Sequence, residues 1–72
     1  MRAAVNNRLS RLLYERGWPD RVLASHTGIE RARVNRLKNR RALPTVREAL
    51  LIGAVLGLPI DAIFWLAADD PA

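Results

Sequence analysis

Apolar residues recur along this chain every three or four positions, and glycine or proline interrupts them at short intervals. That pattern predicts several short amphipathic helices. A first helix over roughly 3–16 puts Val5, Leu9, Leu12 and Leu13 on one face, with Gly17 closing it in the left-handed conformation. A second, over 19–26, starts at Pro19 and Asp20 and turns Val22 and Leu23 inward. Gly28 makes the next turn, and small Ala24 permits a neighbouring helix to approach. A third helix, 30–38, has only Val34 and Leu37 as strong apolar residues, and Asn39 tolerates a left-handed exit. Pro44 and Thr45 open a fourth, with Thr45 as N-cap and Glu48 as its capping-box partner. This helix is apolar almost throughout and stops at Gly57 near position 56, which makes it the central core helix. Pro59 starts a fifth through Ile60, Ile63, Phe64, Trp65 and Leu66. No stretch alternates as a strand would. The expected fold class is therefore all-α, with five short helices in one domain over 1–66 and a flexible acidic tail over 67–72.

Composition narrows what such a domain can do. Seventy-two residues, half of them hydrophobic, suffice for one compact core but not for a deep cleft with supporting layers. The chain has no cysteine, so disulfides and thiolate metal sites are excluded, and one histidine, His26, reads as an ordinary helix-end residue. No nucleophile–base pair or phosphate loop is present. The expectation is a protein that is not an enzyme and needs no cofactor, metal or small-molecule ligand. No apolar run reaches the roughly 18 residues of a membrane span, and no secretion signal is evident, so a cytoplasmic location is expected.

Charge is concentrated. The formal net charge is +5, with 12 basic residues. Seven of these, Arg31, Arg33, Arg36, Lys38, Arg40, Arg41 and Arg47, crowd one segment with no acid among them in sequence, whereas Asp61, Asp69 and Asp70 make the end acidic. A clustered basic segment suits a polyanion partner; its bland alternative is a solvated helix face. The helical rotation that buries Val34 and Leu37 turns Ala32, Asn35, Arg36 and Asn39 outward, with Arg31 and Arg33 on the flanks. Helices two and three, joined by a sharp turn at Thr27-Gly28, have the form of a helix-turn-helix. Tyr14 and Trp18 are expected at the core edge.

Between Arg8 and Phe64 the chain resembles the Cro and phage-repressor (Xre-type) family of helix-turn-helix domains. The likeness rests on Arg8-Leu9 through Gly17, Leu23-Ala24, Gly28-Ile29, Val34 with Leu37, Pro44, and the run Leu56-Gly57-Leu58-Pro59-Ile60-Asp61-Ala62-Ile63-Phe64. It departs from the family pattern at four places. Leu13 and Lys38 stand where the family often pairs an arginine with a glutamate, Arg40 replaces the usual glycine after the third helix, and Asp20 replaces a glutamine. The resemblance implies a lambda-repressor-like fold and a sequence-specific regulator of transcription, a repressor, that reads duplex DNA with helix three in the major groove. It further implies base contacts by Arg31, Ala32, Asn35 and Arg36. Phosphate contacts would come from Arg33, Asn39, Arg40, Arg41 and Thr45, with Arg21 substituting for the missing glutamine. Phe64, Trp65 and Leu66 would either close the core or form the seam of a homodimer. The alternative is a protein-interaction module on the same fold, such as an antitoxin or anti-repressor.

Overall fold

The computed structural model describes residues 4–70. Its elements run β1 (Val5–Asn7), α1 (Leu9–Arg16), α2 (Asp20–Thr27), α3 (Arg31–Lys38), α4 (Val46–Leu56), a 3-10 turn at Ile60–Ala62, β2 (Phe64–Leu66), and a second 3-10 turn at Ala67–Asp69. α2, α3 and α4 fall within a residue or so of where apolar spacing and turn chemistry put them, and α1 closes where expected. α1 ends at Gly17, α2 at Gly28 and α4 at Gly57, each glycine at positive φ. Thr45 and Glu48 form both halves of the capping box that starts α4.

Two expectations fail, and for one reason. The first helix does not begin near residue 3, which lies outside the described residues; it begins at Leu9. The fifth helix is only the 3-10 turn at Ile60–Ala62. Residues on either side pair instead as an antiparallel two-stranded ribbon, Val5 with Leu66, Asn6 with Trp65 and Asn7 with Phe64. The fold is therefore mainly helical rather than all-α. Locally, Asn7 Oδ1 accepts from the Leu9 amide at 2.9 Å, a side-chain bond that competes with extending α1 backwards. Aromatic Phe64 and Trp65 favour a pleated, half-buried surface. So short a ribbon is marginal alone. Here the Arg8 amide donates to Ile63 O at 3.1 Å, and Phe64 is buried in the helical core.

That core contains Leu9 and Leu13 of α1, Leu23 of α2, Val34 and Leu37 of α3, Ala49, Ile52 and Leu56 of α4, together with Ile29, Ile63 and Phe64. Each fully buried Leu, Ile or Val, such as Leu23 or Ile52, contributes about 1.5–3 kcal/mol of transfer free energy. Leu23 is fully buried, while Val22 is only half-buried.

The described part of the acidic end makes contacts with the ribbon. The Ala67 amide donates to Ala4 O at 2.6 Å, and Asp70 accepts from Asn6 Nδ2 at 3.2 Å and from the Trp65 indole N–H. The Arg8 guanidinium lies 4.7 Å above the Trp65 ring. Phe64 is thus a core residue and cannot present its ring to a partner, whereas Leu66 is half exposed.

Candidate nucleic-acid interface

The turn between α2 and α3 is built by a residue that periodicity did not single out. Thr27 is buried, and its hydroxyl donates to Leu23 O at 2.8 Å while accepting from the Ile29 amide at 3.2 Å. A threonine directly before a turn glycine was the available signal. Gly28 follows at φ 76°, a conformation that a β-carbon disfavours, and Ile29 then drops into the core. These three residues shape the turn that joins the helices.

Burial of Val34 and Leu37 leaves Arg31, Ala32, Asn35 and Arg36 exposed on α3, as the rotation predicts. Arg31, Ala32, Asn35 and Arg36 also border a recess of about 650 Å³ against α2, whose other edge is Asp20 and Glu30. Arg21 and Arg41 are exposed nearby. Among the described residues, Arg31, Arg36, Arg41 and Arg47 make no ion pair.

Other basic residues are committed internally, because tertiary packing brings acids to a segment that has none in sequence. Arg33 donates to Glu48 from Nε and Nη2, each at 2.9 Å, and from Nη2 to Leu43 O at 2.8 Å. Expected as a phosphate contact, it instead ties α3 to the start of α4. The paired guanidinium holds the Glu48 carboxyl at about 2, far below its ordinary 4.5, against the opposing effect of burial; the Thr45 amide helps at 2.8 Å. Glu48 in turn raises the guanidinium's own value. Thr45 is exposed, but its hydroxyl oxygen is engaged by the Glu48 amide at 3.0 Å.

A second cluster joins α2 to α3. Lys38 Nζ donates to Asp20 Oδ1 at 2.8 Å, and Asn35 Nδ2 donates to Asp20 Oδ2 at 3.0 Å. Asn39 Nδ2 donates to Asn35 Oδ1 at 3.3 Å, so Asn39 supports a neighbour as well as facing solvent. Burial pushes the Asp20 carboxyl up, but bonds from Lys38 and Asn35 and the charges of Lys38 and Arg31 outweigh it, leaving it below its ordinary value. The two departures at positions 20 and 38 are therefore one compensated pair, with Leu13 simply core. Asp20 is masked from any anion by the ammonium beside it.

α3 ends differently from expectation. Asn39 has φ −90°, and it is Arg40 that takes the left-handed conformation at φ 60°. Arg40 Nη1 donates to Asn6 Oδ1 at 2.9 Å, and Asn7 Nδ2 donates to Leu37 O at 2.9 Å. β1 thus holds the exit of the helix, a role for Asn6 and Asn7 that their sequence positions did not signal.

Away from this face, Trp18 sits at the core edge as expected. It stacks on His26 with centroids 5.2 Å apart, and Arg16 lies over it at 5.7 Å. Tyr14 does not join the core edge; it is 86% exposed. α1 turns its buried Leu9 and Leu13 inward and leaves the tyrosine on its solvent side.

No protein-family model matches the chain, and no curated protein does. Solved structures do match in fold. The chain is similar to the crystal structure of "a putative DNA-binding protein from Bacteroides fragilis", at a TM-score of 0.74 and 18% identity. The match covers 85% of this chain and 98% of that one, so the two share a fold over nearly their whole described lengths. At that identity the likeness establishes the fold alone. Among the described residues no helix is long and apolar enough to cross a membrane, and no three acidic or histidine side chains gather as metal ligands.

Proposed function

We propose that this protein binds duplex DNA sequence-specifically and regulates transcription as a repressor, by occupying an operator with α3 in the major groove. One observation carries this reading: Arg31, Ala32 and Arg36 stand exposed on a helix anchored by Val34 and Leu37, the two arginines without ion pairs among the described residues, with Arg41 bonded through its amide to Arg36 O. A rigid helix with free guanidinium groups supplies the bidentate donors that guanine O6 and N7 accept. The shared fold with the Bacteroides fragilis protein supports it. In this reading Arg31, Ala32, Asn35 and Arg36 meet bases, while Arg21, Arg40 and Arg41 meet phosphates with help from Asn39 and Thr45. The role is binding rather than catalysis. Arg33 leaves the set of phosphate contacts because Glu48 holds it, and Lys38 is likewise held by Asp20.

The protein acts as a homodimer on two half-sites about one helical turn, roughly 34 Å, apart. Phe64 is withdrawn from the seam by its burial; Leu66, with Leu43, Val46 and Leu50, is an exposed apolar group free to contribute. An apolar groove of about 590 Å³ between α4 and the Ile60–Ala62 turn favours a second reading, a module whose main partner is another protein.

Titrating duplex DNA at several salt concentrations tests the first reading. Log affinity should fall with log salt at a slope of about −0.9 per phosphate neutralised. Absence of binding at low salt, with a protein partner copurifying, would favour the second.

A further inference from the structure

A carboxylate on the edge of a surface meant for DNA is an anomaly, since it repels phosphate wherever it is unmasked. Asp20 sits in that place, bordering the same recess as Arg31, Asn35 and Arg36. Lys38 neutralises it, which removes the objection but does not explain the acid. Its second bond does. An ionised carboxylate only accepts, so the Asn35 group facing Asp20 must be the amide N–H₂ and not the carbonyl. Asn39 donates to the carbonyl from the other side, consistent with the same orientation. An amide has two N–H donors and two lone pairs, and these bonds use one of each. One N–H and one lone pair remain, the complement of adenine N6 and N7.

We propose that Asp20 is a specificity-determining residue: by fixing which way the Asn35 amide faces, it makes one position of the DNA site read adenine. This rests on the DNA-reading function proposed above and adds a determinant one layer behind the contacting side chain. Asp20 does not touch the base. Without it, the Asn35 amide turns about its terminal torsion and offers donor or acceptor indifferently. Lys38 serves a separate end, masking the carboxylate, so the two partners of Asp20 have separable effects.

The experiment selects binding sites from a pool of randomised duplexes with the wild type, Asn35→Ala, Asp20→Ala and Lys38→Met. The wild-type motif should contain an adenine that Asn35→Ala loses. Asp20→Ala should lose the same preference, about tenfold in discrimination, while the rest of the motif persists. Its affinity for non-selected duplex should be unchanged or higher, because an acid has left the surface. A merely structural role would instead weaken binding to every sequence together. Lys38→Met should keep the adenine preference and weaken all binding. In the free protein, the Asn35 side-chain N–H₂ resonances should shift in Asp20→Ala and hold in Lys38→Met. An unchanged motif in Asp20→Ala, or an Asn35 amide indifferent to that substitution, overturns the inference and leaves DNA binding standing. Failure of the wild type to bind any duplex overturns the function itself and this inference with it.

Discussion

Replacing Glu48 with alanine should move stability and DNA binding in opposite directions. Glu48 accepts from Arg33 Nε and Nη2 at 2.9 Å and from the Thr45 amide at 2.8 Å, and lies in the first turn of α4. Loss of its half of the capping box costs about 0.5–1 kcal/mol. Loss of a partly exposed ion pair adds no more than about 1 kcal/mol, because solvent reaches both side chains, 28% and 13% exposed. The sum, about 0.5–2 kcal/mol, lowers the melting temperature of a domain this size by roughly 2–16 °C. Meanwhile Arg33 is released beside Arg36 and Arg41, and an acid is removed. Affinity for non-selected duplex should rise, with a salt dependence steeper by up to about 0.9 in slope. Proton linkage gives a further signature. The Glu48 carboxyl is lowered from 4.5 to about 2, so its contribution is complete above the ordinary value and disappears as pH falls towards 2. The stability gap between wild type and variant should therefore be constant above about pH 5 and shrink below it. Thermal melts by circular dichroism across pH, with salt titrations of DNA binding, check each part. A variant that melts with the wild type, or whose salt slope equals that of the wild type, would show that Arg33 already serves DNA and not Glu48.

Arg36→Ala should cost roughly 1–3 kcal/mol of specific binding and relax preference at one base position, while Arg41→Ala should weaken all sequences about equally; site selection with both variants separates them, and an unaltered motif in Arg36→Ala would mean that α3 docks in another orientation. Gly53→Ala should destabilise despite the better helix propensity of alanine: its β-carbon would stand 2.9 Å from Leu58 O, a backbone atom held by the Leu58 amide bond to Gly53 O. Overpacking of this kind costs about 1–3 kcal/mol, partly offset by about 1 kcal/mol of propensity, and a variant more stable than wild type in denaturant unfolding would refute the close contact.

The glycine-closed ends of α1, α2 and α4 and the capped start of α4 were readable in the chain because each is decided within a few residues. A glycine whose missing β-carbon permits positive φ, or a threonine three places before a glutamate, carries its own geometry. The inward pair Val34 and Leu37 was readable for the same reason, since 3.6-residue periodicity is a local property, and with it the exposed face of Arg31, Ala32 and Arg36. What tertiary structure alone decided joins residues far apart in sequence. The ribbon needs Val5–Asn7 and Phe64–Leu66 to meet, and neither segment alternates long enough to announce a strand. The commitment of Arg33 to Glu48 and of Lys38 to Asp20 appears only after folding sets α3 against α2 and brings the start of α4 within reach, because a run of arginines contains no record of which acids folding will bring to it.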